Sequence, residues 1–190
     1  MNYLAHSYLS YTDGQLVGQF LEDFIRNRDR FSYPPNIVEG ILLHREIDTF
    51  TDAHPVVSEA KKIFRPLVRL YAGAFLDVAF DYFLANSLPE NVLQEHAKRV
   101  YRVLGEHQEF SPEQLGRMLE RMEADNWLYN YRYDWGIKFS IQNVLNKSRY
   151  LEKDLPVMDA FLKNKNELEV YFNRFFPELE AYCRQRAAQF

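Results

Sequence analysis

The sequence predicts an all-α fold, built as a single compact multi-helix domain over residues 1–190. Apolar residues recur at spacings of three and four rather than two, the period of a helix with one buried face. Only 7 Gly and 8 Pro punctuate the 190 residues, which suits long helices joined by short turns. Hydrophobic residues make up 47% and charged residues 26%, as in an ordinary globular domain, so disordered and fibrous classes are excluded. A chain of this length buries roughly 70% of the surface its unfolded form exposes, enough for one sizeable core.

Residues 2–11 are expected to form a short first helix, and "DGQLVGQFLEDFIRN" a second one after the turn at Asp13-Gly14. "SYPP" breaks the chain and opens a third helix, because proline is well tolerated in a first turn. That helix carries Asn36 to about Ala53 and stops at Pro55. Further helices are expected at about 56–70, 73–87, 89–106, 112–125 and 157–189, the last with a break near Pro177. The aromatic stretch 126–150, "NWLYNYRYDWGIKFSIQNVLNKSRY", fits either short helices or a loop, with "IQNVLN" helical. No internal repeat or low-complexity segment occurs.

Formal net charge is -4, which gives no compositional support to nucleic-acid binding through a basic face. Cys183 is the single cysteine, so an internal disulfide and a cysteine-based zinc site are both excluded. The opening "MNYLAHSYLS" lacks the basic and apolar regions of a signal peptide, and no run approaches the ~20 apolar residues that span a bilayer. These features place the chain in the cytoplasm with no membrane partner.

The chemistry-bearing residues are concentrated in three stretches. In "HREIDTFTDAH", residues 44–54, His44 and Asp48 differ by about 40° around a helix and project from one face, with Thr51 and Asp52 near them. Taken alone, that row equally fits a solvated face with i,i+4 contacts. The stretch "GAFLDVAFDYFLANSL", residues 73–88, is apolar almost all round, and its only charged residues are Asp77 and Asp81. Unpaired buried carboxylates cost several kcal/mol, so these two need a cation, hydrogen-bond donors or protonation. Arginine salt bridges would satisfy them as well as a metal; a divalent metal is the reading preferred. In "GQFLEDFIRN", Asp23 falls among Phe20, Leu21, Phe24 and Ile25 at an expected core position, whereas Glu22 is expected in solvent.

Asp23, His44, Asp48, Asp77 and Asp81 thus form a nitrogen and oxygen donor set without sulfur, which suits Mg, Mn or Fe better than structural zinc. Such a metal lowers the pKa of a bound water and neutralises charge on a phosphoryl oxygen, pointing to phosphoester hydrolysis. A lone histidine such as His6, on a short apolar helix, is ordinarily a satisfied core residue. His54, just before Pro55, faces a helix C-terminus, and His96 and His107 read as surface residues. Phosphate-binding glycine loops, a nucleophile elbow and the E-x-x-H pairing of di-iron bundles are absent.

At these residues the sequence resembles the bacterial acyl carrier protein phosphodiesterases, also called acyl carrier protein hydrolases, a divergent branch of the HD-type metal-dependent phosphohydrolases. The resemblance is carried by "MNYLAH", "GQFLEDF" (18–24), "GILLHREIDTFTD" (40–52), "LDVAFDYFLA" (76–85) and "IQNVLN" (141–146). It implies an HD-domain-like helical bundle that removes the 4'-phosphopantetheine arm from holo acyl carrier protein with Mn or Mg, giving the apo form. The adjacent His-Asp pair of the superfamily is missing: Arg45 follows His44, and the aspartate arrives at Asp48. The resemblance further implies a metal held by some of Asp23, His44, Asp48, Asp77 and Asp81. Its candidate catalytic residues are His6 as ligand or proton carrier, Arg45 as charge stabiliser or structural ion pair, Asp48 and Asp52. An acidic carrier calls for a local basic patch, for which "RNRDR" (26–30), Lys61, Lys62, Arg65 and Arg69 are candidates. Trp127, Tyr131 and Trp135 are candidates for lining a channel for the arm, with core packing the commoner role for the chain's aromatics. A nucleotide or other small-phosphoester hydrolase using the same metal set, and a metal-free helical binding protein, are the alternatives.

Overall fold

A computed structural model describes residues 1–189 as eleven α-helices joined by short turns, with no strand among the described residues. Helix α1 (Tyr3–Tyr8) ends earlier than its apolar pattern suggests. The hydroxyls of Ser7 and Ser10 donate to the carbonyls of Leu4 and His6 at 2.8 and 2.9 Å, satisfying groups that a continued helix would use. Thr12 then caps α2 (Asp13–Leu21) by accepting from the Gln15 N–H at 3.1 Å. A 3₁₀ turn at Glu22–Phe24 replaces the expected continuation of that helix, so Asp23 leaves the core and is half exposed.

Helix α3 (Pro35–Ala53) begins with proline at its first position and stops before Pro55, as the residue ahead of a proline is pushed out of helical geometry. It crosses α2 at backbone contact. A Cβ at Gly18 would lie 2.2 Å from the Ile37 carbonyl oxygen, and one at Gly40 would lie 2.1 Å from that of Gln15. Only glycine permits such an approach, and the approach brings the polar side of α2 against α3.

Helix α4 (Pro55–Val68) leads through a short turn, with Arg69 at φ 51°, into α5 (Ala72–Ser87). Apolar on nearly every side, α5 occupies the centre and packs against α1, α4 and, further along the chain, α9 (Asp134–Lys147) and α11 (Lys165–Ala187). Between them come α6 (Glu90–Glu106), α7 (Glu113–Ala124), α8 (Trp127–Asn130) and, after α9, α10 (Val157–Lys163). The ambiguous aromatic stretch therefore resolves into the two helices α8 and α9. Pro177 does not break the last helix: it lies on the exposed side of α11, where the carbonyl it frees can meet water. The interruption falls at Asn164, whose side-chain amide donates to the Ala160 carbonyl oxygen and closes α10.

Six phenylalanines, Phe20, Phe64, Phe75, Phe80, Phe161 and Phe175, are fully buried, so much of the aromatic content is core. Fully burying each such ring is worth about 1.5–3 kcal/mol. Glu46 on α3 accepts from Tyr182 and from Arg186 at 2.7 Å, holding α11 against α3. No helix among the described residues is long and apolar enough to cross a membrane.

Candidate active site

The close crossing of α2 and α3, with α1 laid over it, leaves a cavity of about 250 Å³. His6, Gln19, Asp23, His44, Asp48 and Asp77 all line it. His6 and His44 stack with ring centroids 3.9 Å apart and 11° between planes. Both Nδ1 atoms are tied to one residue: that of His6 lies 2.8 Å from Gln19 Oε1 and that of His44 lies 2.9 Å from the Gln19 carbonyl oxygen. Oxygen acceptors at these distances take the Nδ1 proton of both rings, so Nε2 is the nitrogen that offers a lone pair when the ring is neutral.

Both free nitrogens face Asp48. His6 Nε2 lies 3.4 Å from one carboxylate oxygen and His44 Nε2 lies 3.3 Å from the other. The four-residue spacing of His44 and Asp48 produces this directly, since it sets both on one face of α3. Asp23 reaches the same point from the turn after α2, 3.9 Å from His44 Nε2. His6, His44 and Asp48 form one group able to hold a metal ion, with all ligand atoms within 4.8 Å of one another; Glu22, Asp23 and His44 form a second.

Electrostatics concentrate negative charge here. Burial pushes the Asp48 carboxyl up, but the His44 and His6 imidazoles beside it, with the Met1 α-ammonium, outweigh burial and hold the group below the usual carboxylate range. Burial disfavours charge on His44, yet the hydrogen bond and charge of Asp48, helped by Asp23, leave its pKa raised. His6, buried against a second imidazole, is lowered to about 4 and stays neutral. Desolvation raises both Asp23 and Asp77. A positive charge already sits between two of the acids: the Met1 α-ammonium lies 3.5 Å from Asp48 and 3.3 Å from Asp77.

Three of the residues singled out from the sequence are employed elsewhere. Asp81 is fully buried away from the cavity, and its oxygens accept from the backbone N–H groups of Leu4 at 2.7 Å and Ala5 at 3.1 Å. It anchors the exposed donors at the start of α1, so donors rather than a cation answer the need of this buried carboxylate. Burial raises its pKa to about 7, against the pull of those two N–H groups. Arg45 does not line the cavity; it pairs with Glu22 at 2.8 Å and donates to Asn27 Oδ1 at 2.7 Å, a structural link from α3 to the chain after α2. Glu22 is accordingly paired rather than free in solvent. Asp52 stands at the rim, 75% exposed and bound by Lys61 at 2.7 Å.

Gln19, which orients both imidazoles, escaped the sequence reading. Its signal was a glutamine at a buried position of a helix whose other buried residues, apart from Gln15, are Gly, Val, Leu and Phe. Gln19 Nε2 is buried with no hydrogen-bond partner. The other histidines are structural. His54 lies 3.3 Å from Glu178 on α11. Ser7 spends its one proton on Leu4, so His96 donates from Nε2 to the Ser7 oxygen at 2.9 Å. His107 donates to the Val103 carbonyl at 2.8 Å. Of the basic candidates, Lys62 pairs with Glu59 and Arg28 with Asp29, while Arg26, Arg65 and Arg69 make no ion pair among the described residues.

An all-α protein with a half-enclosed cavity of stacked imidazoles and convergent carboxylates is the class that fold and site define. A family model described as acyl carrier protein phosphodiesterase matches residues 1–179. An acyl carrier protein phosphodiesterase of Enterobacter sp. (strain 638) is 32% identical over 198 residues, covering 98% of this chain and 99% of the relative. That of Salmonella agona (strain SL483) is 32% identical over 199 residues, covering 98% and 100%. The chain belongs to the acyl carrier protein phosphodiesterase family. No solved structure matches it significantly.

Proposed function

We propose that this chain is a metal-dependent phosphodiesterase that cleaves the 4'-phosphopantetheine arm from the serine of holo acyl carrier protein. The observation that carries the metal is the pair of imidazoles whose Nδ1 atoms are both fixed by Gln19, so that both Nε2 atoms aim at Asp48. Hydrogen-bonding the far nitrogen is how proteins orient histidine ligands. His6, His44, Asp48 and Asp23 would hold the ion, with Asp77 as a further carboxylate. An oxygen-rich set with imidazole suits Mn, with Mg or Fe as the other candidates. When bound, the ion supplies a nucleophilic water at neutral pH and neutralises phosphoryl charge.

The remaining work falls to the chain itself. Gln19 Nε2, buried and unpartnered, is placed to donate to a phosphoryl oxygen. Lys61, held at the rim by Asp52, adds positive charge beside the entrance. Arg26, Arg65 and Arg69 are the exposed cations available to an acidic carrier. The soluble carrier implies a cytoplasmic site of action.

The test is conversion of holo to apo carrier protein, followed by gel mobility and by mass spectrometry of the released arm, with added Mn and with EDTA. Release that depends on Mn and is lost in His44→Ala supports the assignment. Hydrolysis of a nucleotide panel without action on holo carrier would replace it with a small-phosphoester hydrolase.

A further inference from the structure

Beside the cavity runs a second, larger groove of about 520 Å³ between the start of α1 and helices α7, α8 and α9. Asn2 and Tyr3 line both spaces, so the groove adjoins the cavity on the other side of these two residues. We propose that this groove is the subsite for the pantetheine arm, an inference that rests on the function proposed above.

The arm's chemistry matches the groove. Pantetheine carries a gem-dimethyl unit and methylene spacers separated by two amides, so it needs an apolar trough with a few donors and acceptors at intervals. The groove's volume falls within the roughly 300–1,000 Å³ of small-molecule sites, which are mostly apolar with few polar groups. Val78, Trp127 and Phe139 supply apolar surface, while Gln114, Ser140 and Asn143 provide groups that pair with an amide. Asn2 stands at the junction, where its amide donates to the buried Tyr131 hydroxyl at 3.4 Å. Arg121 and Lys147 line the groove and make no ion pair among the described residues, leaving N–H donors for carbonyl oxygens. A phosphate in the cavity would thus place the arm of the same substrate over Asn2 and Tyr3, at the near end of the groove. Trp135 lies outside the groove, in an adjoining pocket with Trp127 and Phe139.

Pantetheine without its phosphate is the probe, because it isolates the groove from metal and catalysis. In a Trp135→Phe background Trp127 is the sole tryptophan and reports occupancy through its emission. Trp135 is 60% exposed, so that change leaves the core intact. Pantetheine is titrated with EDTA present, and adenosine in parallel. A saturable change below about 1 mM, weakened roughly tenfold in Asn143→Phe and in Gln114→Leu, is expected. Gln114 is exposed on α7, so its variant keeps the fold even if Asn143→Phe does not. No saturable response to pantetheine, equal binding in Gln114→Leu, or a response to adenosine alone overturns the subsite. Holo carrier cleaved without pantetheine binding would retain the function and reject the groove; binding without cleavage would retain the groove and reject the function.

Discussion

The seam between α2 and α3 and the flank formed by α7 to α9 are assembled in opposite ways. In the seam, glycines bring two backbones into contact, and the polar atoms of Gln19, His6 and His44 have one arrangement available. Along the flank, a Cβ at Gly116 would meet nothing within 4 Å, Phe139 is 49% exposed, and the exposed Arg117 and Arg121 line the groove with long side chains. The contrast separates two demands. Orienting two imidazoles at one carboxylate requires fixed backbones, whereas a long chain with rotatable bonds is matched by a surface of adaptable side chains.

The largest effect expected is from Gly40→Ala, because the new methyl would sit 2.1 Å from the Gln15 carbonyl oxygen and must push α2 away. Overpacking of this kind costs about 3 kcal/mol, read as a lower urea midpoint with an unchanged slope. A midpoint equal to the parent's would show the seam to be elastic, and the comparison would fail there. Asp81→Ala is expected to follow at about 2 kcal/mol, since it strands the buried N–H groups of Leu4 and Ala5. Asp81→Asn, which keeps one acceptor, should lose less in the same melt.

Gln19→Leu sharpens the functional side of the seam. Removing the side-chain acceptor frees the His6 ring while the backbone carbonyl still holds His44. Metal affinity is expected to fall roughly 10–100-fold by Mn titration, the usual cost of losing a group that orients a ligand. An unchanged affinity would mean that His6 takes no part in holding the ion.

His96 supports α1 through Ser7, and its pKa is lowered to about 4 by burial, with Arg99 adding to the effect. Its folded value lies below the unfolded 6.5, so the unfolded state binds the extra proton as pH falls. Stability should therefore drop between pH 6.5 and 4, by about 1 kcal/mol from pH 7 to 5.5. Urea melts of His96→Gln at the two pH values should show a smaller difference than the parent's. An equal difference would assign the acid sensitivity to other groups.

Much of the fold could be read in advance because helix period and proline positions are local properties of the chain. The third helix stops at Ala53 as Pro55 requires, and His44 and Asp48 share a face because four residues make about one turn. What escaped depends on contacts between distant segments. Asp77 and Asp81 look equivalent in the sequence, yet the start of α1 covers only Asp81 and supplies its N–H donors, leaving Asp77 to the cavity. Arg45 lies beside His44 in the chain but points to Glu22, because the residue after a site residue on a helix turns about 100° away. Gln19 matters only once Gly18 and Gly40 have brought two helices together, and no periodicity announces that.

Gly116→Ala carries the smallest effect and the opposite sign. Gly116 lies inside α7 with ordinary negative φ, and its missing methyl would touch nothing. Alanine there narrows the unfolded ensemble and fits the helix, so a gain of about 0.5–1 kcal/mol is expected in the urea midpoint. The same substitution thus destabilises at position 40 and stabilises at position 116, because in one place a second backbone fills the space and in the other solvent does. If Gly116→Ala were destabilising, α7 would be packed as closely as the seam. The flank could not then be the adaptable wall that a flexible arm requires.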